Sequence, residues 1–160
     1  MMLLYFAAPL FSRAERLFND NLAQRLEAHG FTVFLPQRDG VEKNKPPYDA
    51  MPPEERRQAL FDLDTQQILA CDIFLFVLDG RVPDEGACVE LGIAYCQRTL
   101  QRSRKLLLGF QTDSRAAFLG SKLNPMIRVP LDGIAPDEDT LFDMLQRYQT
   151  TGRIHVSEQR

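Results

Sequence analysis

An α/β fold built on a parallel sheet is what this sequence predicts, from three observations. Short apolar runs alternate with longer segments in which apolar residues recur every three or four positions. The runs are continuous rather than alternating, as strands covered on both faces are. Proline, glycine or capping residues stand at most boundaries between the two patterns. The chain has 160 residues, within the usual range of one domain. A single domain is expected over residues 1–150, with a polar tail over residues 151–160.

Leu3–Ala7 is an apolar run that Pro9 ends, the first expected strand. Ser12 and Glu15 have the spacing of a capping box, which opens a helix with apolar positions at Ala14, Leu17, Phe18, Leu22 and Leu26. Gly30 closes it. Phe31–Leu35 is the second strand, stopped by Pro36. Gln37–Pro53 carries four prolines and is expected to be a long loop of the kind that is functional or mobile. A helix follows over Glu54–Ala70, then the third strand, Asp72–Leu78, whose apolar sequence places it centrally. Asp79–Asp84 is a turn, Gly86–Gln97 a helix, Lys105–Phe110 the fourth strand and Gln111–Asn124 a second long loop. Met126–Val129 is expected as the fifth strand, and Asp137–Tyr148 as the last helix before a tail that frays over Thr150–Arg160. Five parallel strands with helices on both faces suggest a doubly wound, flavodoxin-like sheet of order 2-1-3-4-5.

Composition narrows the function. The net charge is −3 and no basic stripe stands out, which argues against nucleic acid as a partner. The densest basic stretch, Arg98, Arg102, Arg104 and Lys105, reads as the solvated end of a helix, where cations suit the dipole. Three cysteines without CxxC spacing argue against a disulfide framework and against zinc, and fit a reducing, cytoplasmic setting. The N-terminal apolar stretch lacks a basic region before it and reads as a strand rather than a signal peptide. No run approaches the ~18 apolar residues of a membrane span.

In a sheet of this order, ligands bind beyond the carboxyl ends of the strands at the switch in strand order, between strands one and three. The segments there are Tyr5–Phe11 and Asp79–Glu90. Neither holds a phosphate-cradling GxxxxGK[ST] or GxGxxG, and the chain has no GxSxG and no Cys–His pattern. His29, at a helix end, and His155, in the tail, do not suit a catalytic base. Carboxylates remain: Asp79, Asp84, Glu85 and Glu90 after strand three, and Asp62, Asp64 and Asp72 before it. Glu90 is expected in the first turn of a helix among Ala87, Val89, Leu91, Ile93 and Ala94. The helix dipole favours its anion, while an apolar surround raises its pKa. Taken alone it is either an ordinary first-turn acid or a nucleophile or general base. Asp64 either faces solvent or points into the site, and Asp72 suits local backbone groups.

The pieces Tyr5-Phe6-Ala7-Ala8-Pro9-Leu10-Phe11, Asp64, Cys71-Asp72, Asp79-Gly80, Pro83–Ala94 and Asn124-Pro125-Met126 together resemble the nucleoside 2′-deoxyribosyltransferase family. The most specific piece is Asp84-Glu85-Gly86-Ala87-Cys88-Val89-Glu90-Leu91-Gly92, which fits D-x-G-x-x-x-E-L-G. The resemblance implies exchange of the base on a 2′-deoxynucleoside with a free nucleobase, in nucleoside salvage, by a double displacement through a deoxyribosyl ester on Glu90. It implies that Tyr5 orients that carboxylate and that Asp64 and Asp84 handle the base's proton and hold the substrate. Ala7, Gly86 and Met126 would line the substrate pocket. Asn124 would reach the sugar of a neighbouring subunit, in a homo-oligomer built from dimers, commonly a hexamer. No metal or organic cofactor is implied. Gln37, with Arg38 and Asp39, opens the first long loop in a position to read a base edge. Ala7 and Ala8 suggest space near C2′. Two features depart from the family: Glu85 stands where a small residue is common, and Gly152–Arg160 has no match to the family's C-terminal aromatic. The nearest rival is a deoxynucleoside 5′-monophosphate N-glycosidase, which would give the same ester to water. It would need a phosphate site at the first loop, where Ser12 and Arg13 are the candidates. A different class is a non-catalytic nucleotide sensor, which would need the fold but not the carboxylates.

Overall fold

A computed structural model describes residues 1–113 and 123–154. Its five strands are β1 (Leu3–Ala7), β2 (Thr32–Phe34), β3 (Ile73–Val77), β4 (Leu106–Phe110) and β5 (Gly133–Ala135). All pair in parallel, in the order β2-β1-β3-β4-β5. This is the doubly wound, flavodoxin-like sheet expected, with the switch in strand order between β1 and β3.

Helices cover both faces because the strands alternate. Leu4 and Phe6 face one layer with Leu22, Ala23 and Leu26 of α1 (Arg13–Ala28), and with Leu141, Leu145 and Tyr148 of the last helix. Tyr5 and Ala7 face the other layer, with Ile68, Ala87, Leu91 and Ala94. Successive side chains of a strand point to opposite faces, so this alternation alone aims Tyr5 at the second layer. Each large side chain so buried contributes roughly 1.5–3 kcal/mol.

The capping box forms as read: Ser12 Oγ accepts from Glu15 N–H at 3.1 Å, and Glu15 returns a carboxylate oxygen to Ser12 N–H at 2.6 Å. Gly30 follows the helix at φ +88°, a conformation that favours glycine. Leu17 does not join the inner face and is 60% exposed. It lies five residues before Leu22, which puts it about 140° round the helix from that residue.

The first long loop is partly helical. Pro36 stops β2 by starting α2 (Pro36–Asp39) at its first position, and a single 3-10 turn spans Tyr48–Ala50. Then comes α3 (Pro53–Ala70), with Pro53 at the start, where a missing N–H costs nothing. Asp72 caps across the sheet rather than locally, accepting from Leu3 N–H at 2.8 Å. The next helix, α4, spans Glu85–Gln101, longer at both ends than its apolar pattern indicated.

The expected fifth strand over Met126–Val129 is wrong. Pro125–Arg128 forms a short helix, α5, and the strand comes later, at Gly133–Ala135. Asn124 explains the helix: its Oδ1 accepts from Met126 N–H at 2.9 Å, and Pro125 fills the first helical position. The last helix, α6 (Glu138–Thr151), is capped by Asp137 and runs three residues past Tyr148. Thr150 and Thr151 are thus helical. The rest of the expected tail beyond residue 154, with His155, lies outside the described residues.

The basic cluster is not simply solvated. Lys105 is 6% exposed and donates its ammonium to the carbonyls of Ile68 and Leu69. The cation therefore serves the C-terminus of α3 rather than that of its own neighbouring helix. Arg98 pairs with Asp132 at 2.6 Å and donates to Pro130 O at 3.0 Å. Among the described residues no helix is long and apolar enough to cross a membrane.

Candidate active site

Tyr5 sits in the middle of β1 and is wholly buried. Its register partners are Phe34 and Phe74. The three rings form a ladder across the sheet, with centroids 5.6 Å apart on each side and interplanar angles of 18° and 6°. Offset stacking of this kind holds the Tyr5 ring by both faces. The ring can then only point its hydroxyl outward, where it donates to Glu90 Oε1 at 2.9 Å.

Glu90 comes from α4. The helix starts at Glu85 with Asp84 as its cap, so Glu90 is the sixth helical residue and belongs to the second turn, not the first. The helix dipole acts mainly within the first turn and gives Glu90 little support. Burial dominates and pushes its carboxyl up to about 7. The Tyr5 hydrogen bond opposes that rise, and the negative charges of Asp64 and Asp84 add to it.

Asp64 is supplied by α3, which packs beside α4. Burial pushes it up to about 6, and its Oδ1 is enclosed without a hydrogen-bond partner. Its charge acts on both Tyr5 and Glu90, so three elements, β1, α3 and α4, converge on one site. Tyr5 itself is held far above its usual range, first by burial and then by the charge of Glu90. It stays protonated, and so stays a donor. Two acids with raised pKa values beside a fixed donor are what a nucleophile and a proton carrier need near neutral pH.

The remaining expected residues are placed as follows. Asp84 caps α4, its Oδ2 accepting from Ala87 N–H at 2.9 Å. A side chain at Gly86 would put Cβ 3.1 Å from that Oδ2, so the glycine leaves the cap undisturbed. Ala7 is buried at the end of β1, on the same face as Tyr5. Gln37 is engaged elsewhere: its Oε1 accepts from Asn19 at 2.9 Å, and its Nε2 donates to Arg16 O at 2.9 Å and to Asp20 at 2.8 Å. Both of its N–H donors are thereby used in tying α2 to α1. Arg38 and Asp39 are likewise engaged, with each other, with Glu27 and with the β2 backbone. Asn124 and Met126 lie exposed at the start of α5, Met126 at 82%. Neither makes a hydrogen bond to Tyr5, Glu90 or Asp64.

Two features escaped the reading of the sequence. The Phe34–Tyr5–Phe74 ladder depends on strand register, which no single run discloses. Asp79, grouped there with the acids, instead joins two strand exits. It accepts from Thr112 N–H at 2.7 Å, Asp113 N–H at 2.9 Å and Thr112 Oγ1 at 2.5 Å. Its place directly after a central strand was the available signal. Among the described residues, no group of three or more His, Cys, Asp or Glu is arranged to hold a metal ion. A cavity of about 780 Å³ lies at the opposite end of the sheet, where β4 begins, lined by Arg98, Lys105, Asp132 and Tyr148 among others. Its buried cation and its Arg98–Asp132 pair serve the fold, and it shares none of the site's carboxylates.

The family described as nucleoside 2-deoxyribosyltransferase matches residues 4–146. Among curated proteins no match is found. The structure resembles a conserved protein from Enterococcus faecalis V583 at 24% identity and a TM-score of 0.70, over 92% of this chain and 98% of that one. It resembles a 2-deoxyribosyltransferase from Bacillus psychrosaccharolyticus at 23% identity and 0.69, over 87% and 89%. It also resembles the CMP N-glycosidase BcmB from Clostridium botulinum at 18% identity and 0.51, over 91% and 98%. At these identities the structural likeness speaks for a shared fold.

Proposed function

The chain belongs to the nucleoside 2-deoxyribosyltransferase family, and on that footing we propose that it moves 2-deoxyribose between nucleobases through an ester on Glu90. The family is described by deoxyribosyl transfer, and one protein that shares the fold is an N-glycosidase. The observation that carries the finer reading is the 2.9 Å bond from Tyr5 to Glu90 beside Asp64, a half-buried acid with an unpartnered oxygen.

Tyr5 fixes one carboxylate oxygen of Glu90, and the other attacks C1′ of a 2′-deoxynucleoside. The C1′–N bond breaks as the C1′–O bond forms, and the departing base takes the proton of Asp64. Positive charge that develops on the sugar is stabilised by the surrounding carboxylates in a site poor in water. An incoming base then attacks C1′, frees Glu90 and returns a proton to Asp64. Two inversions give net retention, the logic of retaining glycosidases. Asp84 is the second acid in reach of Glu90's charge and is assigned to hold the substrate. Ala7 and Gly86 leave room at the same rim. A tight fit of the sugar against Tyr5 and Glu90 would favour a deoxy sugar, since a 2′-hydroxyl would be buried unpaired.

The same reading makes the protein a homo-oligomer built from dimers, a hexamer, with Asn124 and Met126 of one copy at a neighbour's sugar. Exposed apolar residues support a partner there: Met126 at 82% on α5, Val129 at 73% directly after it, and Val89 at 61% on α4. A cytoplasmic setting agrees with three free cysteines.

The test is to supply deoxyinosine with adenine and to follow products by chromatography. Deoxyadenosine is expected, at a rate that depends on adenine. Release of hypoxanthine with no deoxyadenosine, whether or not adenine is present, would instead assign the N-glycosidase reaction.

A further inference from the structure

The start of α1 carries an unusual occupant. The loop that follows β1 leaves the carboxyl rim of the sheet at the switch in strand order. A helix that opens from such a loop, at the switch in strand order, is where a sheet of this class offers amides to a phosphate. In this chain two of the amides at that start, both in the loop, are taken. One oxygen of Glu15 accepts from Phe11 N–H at 3.0 Å and from Ser12 N–H at 2.6 Å. Pro9 has no N–H to give, and Asn19, 2% exposed, pins the loop by donating to Pro9 O at 2.9 Å. The other helix start at this rim is closed in the same way, with Asp84 accepting from Ala87 N–H. Both positions that would welcome an anion thus already hold a carboxylate of the chain.

We propose that Glu15 is a specificity-determining residue that confines the site to nucleosides, because its carboxylate occupies with its own negative charge the amides on which a 5′-phosphate would lie. A 5′-phosphate stands one methylene beyond the sugar ring, so a substrate whose C1′ is held at Glu90 must bring that group to a loop at this rim. There it would meet a like charge and two loop amides that already hold an acceptor. The capping oxygen is bound by charge-assisted hydrogen bonds, and its anion is favoured by those amides. The inference rests on the reading of Glu90 as the residue that attacks C1′, but not on whether a base or water completes the reaction.

The experiment measures base release from deoxyinosine and from deoxyinosine 5′-monophosphate, each with and without adenine, for the wild type and for E15Q, E15A and S12A. The quantity read is the ratio of kcat/KM for the monophosphate to that for the nucleoside. The wild type should strongly favour the nucleoside. E15A, which frees both amides and removes the charge, should raise the ratio by at least about tenfold, and E15Q, which removes only the charge, by less. S12A keeps the Glu15 carboxylate on the amides and should keep the wild-type ratio. A wild type that cleaves both substrates equally well would overturn the proposal. So would a ratio unmoved in E15Q and E15A when their thermal melts show folded protein. Should E15A fail to fold, E15Q decides alone. Hydrolysis without exchange would count against the transferase reading while leaving this ratio just as readable.

Discussion

At the scale of single residues, the proposed mechanism sets two acids against each other. Glu90 must be ionised to attack, and burial holds its carboxyl at about 7. Asp64 must hold a proton for the departing base, with its carboxyl at about 6. The active form is therefore the minor of the two singly protonated ones, and kcat/KM should be bell-shaped about pH 6.5, rising up to about 6 and falling above about 7, the values belonging to the coupled pair. Two variants change the profile in different ways. D64N removes the acid and a negative neighbour of Glu90, so the falling limb should vanish and leave a single rise with its midpoint below 7, with activity lost by about 10²–10⁴-fold. Y5F keeps the aromatic ladder but loses the hydrogen bond that holds Glu90 down, so the high-pH limb, which Glu90 sets, should shift to higher pH and the maximum should fall. A profile of kcat/KM against pH for the three proteins checks both, and a downward shift in Y5F would contradict the role given to Tyr5. Residue type and spacing singled out Glu90 as an acid among apolar neighbours but left its role and that of Asp64 open, and Tyr5 entered only through the family resemblance, because the contact between Tyr5 and Glu90 spans 85 residues. The engagement of Gln37 was not legible. Its three partners lie 17 to 21 residues away in sequence, and only the packing of α2 on α1 brings them together.

At the scale of elements, the site depends on how strand exits and helix starts are tied. Asp79 joins the exits of β3 and β4 by accepting from two backbone amides and a hydroxyl. D79A would orphan those donors, and chemical denaturation should show a loss of about 1–3 kcal/mol. Denaturation that leaves D79A within a few tenths of the wild type would mean that water replaces the carboxylate at no cost. Boundaries marked by caps were readable, as Ser12 with Glu15 shows, because a cap is a local signal. The misplaced fifth strand shows the limit. Met126–Val129 is short, and a run of that length does not distinguish a strand from a helical turn. Asn124-Pro125 carried the cap-and-first-position signal of a helix, and the actual strand, Gly133–Ala135, is recruited by pairing with β4 rather than by its own composition. Lys105 was misread for a related reason. Its sequence neighbours are basic and exposed, but the chain returns it to the carbonyl end of α3, 36 to 37 residues away.

At the scale of the whole molecule, strand order was legible from the alternation of apolar runs with amphipathic helices, and it located the rim at which to look. Quaternary structure follows from no local pattern, but the proposed sharing of Asn124 between subunits can be tested. If Asn124 serves a neighbour's site, then E90A and N124A, each nearly inactive alone, should regain exchange when mixed and allowed to reassort, since some sites would combine an intact Glu90 with an intact Asn124. No recovery in mixtures shown by sedimentation to contain both chains would place Asn124 in its own subunit's site or outside catalysis. Whether Glu90 carries the sugar can be read by mass spectrometry. Protein is incubated with deoxyinosine in the absence of any acceptor base, quenched rapidly and digested. The peptide bearing Glu90 should gain one deoxyribosyl group, discharged by added adenine and absent in E90A. Base release by the wild type with no adduct, or with the adduct on another residue, would contradict the role given to Glu90.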